Sequence, residues 1–574
     1  MTSSASIRFL DFELDRSTFS LRRGDTPVRL DPKPLELLFL LAERNGALVT
    51  HDEALAHVWG EGVFVDGESA LYTAIKKIRR ALGDHTLVLT VSGRGYRLNL
   101  PPASATALAV PEVVQRLAVL PLANLNPDPA EDYFSDGLTE ELIATMARLF
   151  GSRLGIIART SVMRFKGASL PIETIARDLA VDYLIEGSVR RDGNRVRIAV
   201  KLLRASDSTA LWTQTFERNL TDLFQFQSEI ALATAHAVQT RLSDTPAPSP
   251  VLDPEVHDLL LRARHLWVQR TRPTIEAAIG YFRQALTLDP ACAPAYAGLA
   301  SCYAILPITS NARPSDCFPL AQQFAEQALA IQTGSQAQPE AHMALGLVQF
   351  WYWRNWQLAV HHFQQIELLN PSDSNGAMFL AHVYSILQQH DQAIAAIHRA
   401  RHLDPLSPIV NTHIGHFLYN AGRFEQALSP LNRILELAPQ FWVAHLMRGK
   451  TLGLLEQPQA AIESFSRALS FSSGNTEPLA FRAYTLASAD HREAALADLA
   501  ALEHQRISAF ASPVHLALAQ LGLGNHSAAL QLIDQAFEER DLRLIFLAVE
   551  SRWQPLRDSG HFGSILLRAG LPNL

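Results

Sequence analysis

The sequence predicts a multidomain protein with a small α+β unit first, an α/β unit next and a long all-α superhelix last. Three observations support this order: two proline-rich stretches, basic side chains gathered on one early helix, and a 34-residue period in the last part of the chain. At 574 residues the chain is too long for one hydrophobic core, because single cores stop growing at about 250–300 residues. We therefore expect three or more domains.

Two stretches rich in proline and small residues are predicted to be linkers. Residues 101–112 begin with two prolines, and residues 242–253 hold three within five positions. Such composition resists continuation of a helix or a sheet. The predicted domains are therefore residues 1–100, 113–241 and 254–574.

The first unit reads as a sheet, three helices and a hairpin. Apolar and polar residues alternate over positions 7–30, which predicts a small antiparallel sheet. Asp31-Pro32 begins a first helix, and the capping box of residues 50–53 begins a second. A third helix is predicted over residues 69–82, followed by a hairpin over residues 87–100.

The third helix separates an apolar stripe from a basic face. Leu71, Ile75, Ile78 and Leu82 recur at helical spacing and should pack inward. The side chains predicted to point the other way are Ser69, Thr73, Lys76 and Arg80. Residues 70–97 hold six basic residues and one acidic residue, whereas residues 1–69 hold seven basic and twelve acidic. Concentrated positive charge suits contact with phosphates, although a basic helix face alone is more often simply solvated.

Four motifs carry a family resemblance across nearly all of residues 7–100. They are residues 34–38 (PLELL), 58–60 (VWG), 75–82 (IKKIRRAL) and 90–97 (TVSGRGYR). With the order of elements, they resemble the winged helix-turn-helix effector domain of OmpR-type regulators. The resemblance implies a recognition helix, a wing over residues 90–94, and double-stranded DNA as partner. The predicted DNA-binding residues are Ser69, Thr73, Lys76, Lys77, Arg79, Arg80, Thr90 and Arg94.

The middle unit alternates strand and helix signals, with a hairpin about residues 192–194. Its motifs at residues 134–142 (FSDGLTEEL), 183–188 (YLIEGS) and 211–216 (LWTQTF) resemble the TolB N-terminal-like domain. That resemblance implies an α/β fold in a regulatory setting, with no known chemistry.

Three columns of the last unit agree on one period. Alanines recur every 34 residues from Ala359 to Ala529, small residues from Ala381 to Ala517, and prolines from Pro371 to Pro439. This pattern resembles the tetratricopeptide repeat (TPR). It predicts about eight repeats with capping helices near residues 552–571. The resemblance implies a superhelix whose concave groove suits a protein or peptide partner, or one that acts as a spacer.

No signature of an enzyme or of a resident cofactor was found: neither a phosphate-binding loop, nor a nucleophile elbow, nor a zinc-protease helix. We therefore predict no catalytic residues, no cofactor and no metal. Two histidine pairs at helical spacing, His398 with His402 and His413 with His416, are expected by chance among 21 histidines. The three cysteines are predicted to be buried apolar residues. An alternative site, for an anionic effector, is formed by Arg159, Arg164 and Lys166.

The leading hypothesis is a sequence-specific transcription regulator with no membrane segment, located in the cytoplasm. By resemblance to the winged-helix family alone, we expect activation, contact with RNA polymerase, and a dimer on tandem half-sites. One alternative is a TPR scaffold whose winged helix no longer binds DNA. It draws on serines at 69 and 92, where the family often has basic residues. Another is hidden enzymatic activity within residues 116–240.

Overall fold

The computed structural model describes most of the chain in two compact units, Met1–Glu112 and Val113–Leu574. The residues described are 6–9, 12–16, 18–23, 26–43, 49–59, 67–82, 87–91, 95–98, 115–126, 128, 131–150, 153–193, 195–219, 223–237, 253–310, 312–332, 338–472, 474–508 and 510–572. Both predicted linkers lie outside these ranges, apart from Asp253, so the domain boundaries stay predictions.

The first unit contains two small sheets and three helices in the predicted order. An antiparallel sheet pairs its strands in the order β1-β2-β3-β4, and a second sheet in the order β5-β7-β6. In chain order the elements are β1 Ser6–Phe9, β2 Phe12–Asp15, β3 Ser20–Arg23, β4 Thr26–Val28, α1 Pro32–Glu43, β5 Val49–Thr50, α2 His51–Trp59, α3 Gly67–Leu82, β6 Val88–Val91 and β7 Gly95–Leu98.

Helix α3 is held by the apolar stripe that the sequence predicted. Leu71, Ile75 and Ile78 are fully buried in one core with residues of α1, α2 and the second sheet. The predicted cap of α2 also forms, since the Glu53 amide donates to Thr50 Oγ1 at 3.2 Å. Burying the stripe fixes the rotation of α3 and therefore decides which side chains face outward.

The second unit begins with a mixed sheet flanked by helices. Its strands run in the order β10-β8-β11-β12-β13, and β9 also pairs with β11. The parallel pairs are β10 with β8, β11 with β8 and β11 with β9. The elements are β8 Arg116–Val119, β9 Ala123–Asn124, α4 Asp132–Phe150, β10 Gly155–Ile156, α5 Arg159–Val162, α6 Ile172–Leu179, β11 Tyr183–Asp192, β12 Arg195–Arg204, β13 Ala210–Asn219 and α7 Leu223–Ala237. The predicted α/β class is thus observed, and β13 and α7 add to the predicted elements.

Eight helix pairs follow within the described residues. The first are α8 Pro254–Trp267 with α9 Arg272–Leu288, α10 Ala293–Thr309 with α11 Pro314–Ile331, α12 Pro339–Leu347 with α13 Trp356–Leu369, and α14 Ser374–Ile386 with α15 His390–Leu403. The others are α16 Pro408–Asn420 with α17 Phe424–Leu437, α18 Trp442–Leu454 with α19 Pro458–Phe471, α20 Thr476–Ser488 with α21 Arg492–Ser508, and α22 Pro513–Gly522 with α23 His526–Glu538. A π-helical segment, Val348–Trp353, follows α12.

The repeat columns mark the contact between the two helices of a pair. The alanine column lies in the second helix and the small column in the first, and Ala393, Ala427 and Ala461 are fully buried. A Cβ at Gly415 would approach Leu431 to 2.5 Å, and one at Gly449 would approach Phe465 to 2.6 Å. The small side chains are needed because a large residue of the second helix fills that space.

The middle domain packs directly against the helix pairs. The Tyr133 hydroxyl donates to Asp258 Oδ1 at 2.6 Å, and Arg191 contacts the same oxygen at 2.7 Å. Farther along, the Ser161 hydroxyl contacts the Asp404 carboxylate and accepts a 2.8 Å hydrogen bond from the Leu406 amide. These contacts join residues far apart in the chain into one compact unit.

Asp404 should make this packing depend on pH. Burial raises the pKa of its carboxyl to about 6, from an ordinary value of 3.8. Its stabilising contribution is therefore complete below pH 3.8 and is lost as the pH rises through about 6. We expect Asp404→Asn to become more stable relative to the wild type as the pH rises from 5 to 7, measured as the difference between their thermal midpoints. A difference that stays flat, or that falls with pH, would contradict this assignment.

After α23 the chain returns along the inner side of the array. A 3-10 segment, Leu542–Ala548, is followed by a 3-10 turn at Ser551–Trp553, then α24 Gln554–Arg557 and α25 Gly560–Arg568. Leu544, Ile545 and Leu547 are fully buried in the core shared by most of the helix pairs. The predicted capping helices are α24 and α25, whereas the residues before them fill space inside the array.

Candidate nucleic-acid interface

Helix α3 presents polar and basic side chains on the face opposite its buried stripe. Thr73, Lys76 and Arg80 are exposed, at steps of three and four residues that place them along one side of the helix. Tyr72 lies beside Lys76, and 62% of its surface is exposed. This exposed aromatic ring is an additional candidate, outside the set of DNA-binding residues predicted from the sequence.

Two predicted DNA-binding residues make contacts within their own domain. Lys77 forms an ion pair with Asp31, at the start of α1. Arg79 is half-buried, and its Nε and Nη2 donate to the Val88 carbonyl at 2.9 and 2.6 Å. Arg79 therefore ties the C-terminal half of α3 to the first strand of the wing hairpin.

The other predicted contacts are located only in part. Ser69 lies in the first turn of α3 and Thr90 in β6, but their side chains are outside the described set. Arg94 lies outside the described residues, as does most of the predicted wing. Gly95, directly after the predicted wing, has φ +149°, and a Cβ there would approach the Val49 carbonyl oxygen to 2.0 Å. The strand that leaves the wing therefore passes too close to β5 for any side chain.

We expect Arg79 to act on stability where Arg80 does not. Arg79→Ala removes a charged donor from the Val88 carbonyl and should destabilise the α3–β6 contact by roughly 1.5–3 kcal/mol. Hydrogen exchange of the β6 amides in the full chain measures this as faster exchange. Arg80→Ala is the matched control, and at an exposed position its effect should stay within about 0.5 kcal/mol. Equal exchange in the two variants would refute a tethering role for Arg79.

The inner side of the repeat array is the second predicted interface, and the chain itself covers part of it. The residues directly after three small-column positions are His382, His416 and Lys450, all buried. The Phe546 ring of the returning segment lies near the His416 ring, with centroids 6.0 Å apart and the ring planes at 43°. Lys450 Nζ lies 3.0 Å from the Glu550 carboxylate of that segment. The part of the groove formed by these helices is therefore filled by residues 542–553.

A buried ionic cluster holds this segment in place. Glu550 accepts from the Tyr419 hydroxyl at 2.6 Å and pairs with Arg552 at 2.9 Å. Arg552 also donates to the Lys450 carbonyl at 2.9 Å. Although burial opposes ionisation, Lys450 and Arg552 lower the pKa of Glu550 to about 2. The carboxylate is thus charged at neutral pH and is shared by two buried cations.

Three acidic residues in the first half of α4 form ion pairs. Lys166 contacts Asp136 at 2.7 Å and Asp132 at 3.0 Å, and Glu140 pairs with Arg159 at 3.1 Å. These ion pairs occupy two of the three cations considered for an anionic effector. The three cysteines, Cys292, Cys302 and Cys317, are buried free thiols, as the sequence predicted. Among the described residues, no helix has the length and apolar character needed to cross a membrane.

Comparison with known families decides the nature of the first domain. Residues 25–98 match the family described as "Transcriptional regulatory protein, C terminal". The first domain is an OmpR-type winged helix. Residues 114–232 match the family described as "HilA/YgeH-like transcriptional regulator, second domain".

Individual relatives cover different shares of the chain. Transcriptional regulator HilA of Salmonella typhimurium is 23% identical over 443 residues, 76% of this chain and 71% of that protein. Putative adenylate cyclase 3 of Rhizobium meliloti is 32% identical over 244 residues, 41% of this chain and 40% of that protein. The alignment with this cyclase relative therefore spans well under two thirds of its length. The phosphate regulon regulatory protein PhoB of Klebsiella pneumoniae is 30% identical over 96 residues, 16% of this chain and 42% of that protein.

Solved structures also resemble part of this chain. The crystal structure of Rap protein complexed with competence and sporulation factor gives a TM-score of 0.40 at 12% identity, covering 55% of this chain and 97% of that one. The observations that make the array TPR-like are its helix pairs and their 34-residue columns.

Proposed function

We propose that this chain is a sequence-specific, DNA-binding transcription regulator that reads duplex DNA with helix α3. The observation that carries the proposal is the exposed row of Thr73, Lys76 and Arg80 on a winged helix of the transcriptional regulatory family. A helix of this width fits the major groove, where side chains can distinguish all four base pairs. The net charge of the whole chain is -7, so this local surface has to supply the attraction for phosphates.

The contacts divide by role. Lys76 and Arg80 supply the charge for phosphates or guanine edges, and Thr73 with Tyr72 offers hydroxyl and apolar contacts to bases. Ser69 at the start of α3, and Thr90 with Arg94 at the wing, complete the proposed interface. Lys77 stays within reach of DNA but has to exchange its contact with Asp31. Arg79 acts by positioning the hairpin.

The middle domain and the repeats are proposed to receive the signal that controls this regulator. The repeats bind a protein or peptide partner on surfaces that the returning segment leaves accessible, or by displacing that segment. We also propose that the middle domain is related to the TolB N-terminal-like domain. Transcription activation through RNA polymerase and a dimer on tandem half-sites follow from the winged-helix family alone.

The regulator is proposed to act in the cytoplasm without a catalytic step of its own. Two regulator families match the chain, and the middle-domain acids at the start of α4 are engaged in ion pairs. The relative named as a putative adenylate cyclase aligns over 244 residues only. Incubating the full chain with ATP and measuring cyclic AMP tests this part, with none expected.

Selection from a random duplex library tests the proposed function. Full-length protein should enrich a defined motif, and the motif should be protected in footprinting. The competing interpretation, a scaffold with a winged helix that does not bind DNA, predicts that no sequence is enriched over successive rounds. That result, with a correctly folded protein, would overturn the proposal.

A further inference from the structure

Three histidines from two neighbouring helix pairs meet inside the repeat array. His382 lies on α14, and His413 and His416 lie three residues apart on one face of α16. From sequence alone His413 and His416 are a chance pair, because the third member comes from another repeat. His382 and His416 are 34 residues apart, each directly after a small-column residue, and so they occupy the same place in successive repeats.

The three rings are close enough to share one ligand. One nitrogen from each lies within 4.8 Å of the others. The His382 and His413 ring centroids are 4.5 Å apart, with the ring planes at 86°. A tetrahedral ion with nitrogen ligands at about 2.0–2.1 Å would bring these atoms to about 3.4 Å of one another. Small rotations of the side chains therefore suffice to close a three-nitrogen site.

The surroundings suit a metal ligand better than a charged imidazole. All three rings are buried, and burial lowers their pKa values, that of His413 to about 4. Metal ions bind the neutral imidazole, which is the form that burial favours. Among the described residues, His413 Nδ1 is buried without a hydrogen-bond partner, a condition that costs stability unless the nitrogen has another ligand.

The positively charged side chains near the three histidines are paired with carboxylates. The cations that act on His416 are Lys450 and Arg543. Each has a carboxylate of its own, with Lys450 at 3.0 Å from Glu550 and Arg543 at 3.3 Å from Glu477. Aromatic side chains lie around the rings, among them Phe417, whose centroid is 4.9 Å from that of His382. Such an apolar shell restricts water and strengthens the bonds to an ion.

We propose that His382, His413 and His416 bind one divalent transition-metal ion of the zinc class. Imidazole nitrogens prefer zinc, copper, nickel and iron over magnesium or calcium. Three protein ligands leave a fourth position for water or a further ligand. Because Phe546 of the returning segment packs near His416, the ion would also fix the part of the array on which that segment rests.

Cobalt(II) is the probe that tests this proposal. Full-length protein, freed of metal with a chelator, should bind one Co²⁺ per chain and develop the visible absorption band of a tetrahedral ion. Zinc should displace the cobalt and abolish the band. X-ray absorption of the wild-type complex should count three imidazole ligands, a measurement that needs no variant. Absence of a stoichiometric band in the folded protein, or a count below three imidazoles, overturns the proposal.

Variants then assign the ligands. His382→Gln, His413→Gln and His416→Gln should each weaken Co²⁺ binding by roughly 100-fold or more, at least the loss seen when outer-shell partners are removed. His398→Gln is the matched control, since it is an exposed histidine on α15 within another pair at helical spacing. Circular dichroism checks that each variant is folded. Unchanged affinity in the folded cluster variants, or an equal loss in His398→Gln, contradicts the assignment.

Discussion

Glu550→Ala is expected to destabilise the repeat array by about 3–5 kcal/mol, because it leaves two buried cations without their shared carboxylate. Lys450, Glu550 and Arg552 are all buried, with at most 7% of each side chain exposed. Removing one member of such a cluster costs more than the cluster contributes as a whole, since the remaining charges cannot reach water. The free energy of unfolding, from urea denaturation followed by circular dichroism, measures the effect.

A surface pair in the same region provides the control. Glu538 contacts Arg568 at 3.3 Å, with 74% and 45% of the side chains exposed. Glu538→Ala should therefore cost no more than about 1 kcal/mol. If both variants unfold at the same urea concentration, the buried cluster does not hold the returning segment in place.

The same carboxylate should contribute to acid unfolding. The pKa of Glu550 is about 2 in the folded protein, compared with an ordinary value of 4.5. Its stabilising contribution is therefore complete above pH 4.5 and is lost as the pH falls toward 2. The stability difference between wild type and Glu550→Gln should shrink over that window, and a difference that grows on acidification would contradict the assigned charge state.

The second large effect is expected in DNA binding. Replacing both Lys76 and Arg80 by alanine should remove two cations from the proposed interface, and with them about two phosphate or base contacts. The slope of log K against log salt should then fall by about 1.8, since each phosphate contact contributes about 0.9. If either residue reads a base, about 1–3 kcal/mol of discrimination is lost as well. Fluorescence anisotropy across a salt series measures both quantities.

A matched pair separates local contact from net charge. Arg195 and Arg197 are exposed on β12 of the middle domain, and replacing both by alanine changes the net charge by the same amount. That variant should bind DNA with the wild-type slope. If the two double variants behaved alike, α3 would not be the DNA-contacting surface.

Patterns local to the sequence predicted most of the fold. The apolar stripe of α3 and the 34-residue columns report burial directly, because packing of a helix face repeats with the helix period. The strand Ala210–Asn219 was not predicted, although residues 211–216 form a motif, because only four of its ten residues are apolar and it lacks strict alternation. The exposure of Tyr72 could have been predicted from its angle on α3.

Contacts between distant residues escaped the sequence analysis for a physical reason. Lys450, Glu550 and Arg552 are charged residues that read as surface positions until the fold pairs them, because burial of a charge is favourable only with its partner present. The bond from Arg79 to Val88 and the meeting of His382 with α16 also depend on tertiary structure. The period of a repeat array predicts where its helices lie in the sequence. The segment that fills the inner side of the array has no such period, so its position could not be predicted in this way.

The salt dependence of binding to the DNA upstream of the protein's own gene, compared with scrambled DNA of equal length, tests the central claim most directly. We predict affinity that falls steeply with salt and a native fragment that binds at least about tenfold more tightly, or about 1.4 kcal/mol. Binding that is independent of salt would contradict sequence-specific reading by helix α3. So would equal binding of scrambled DNA and of a fragment that carries the operator found by selection.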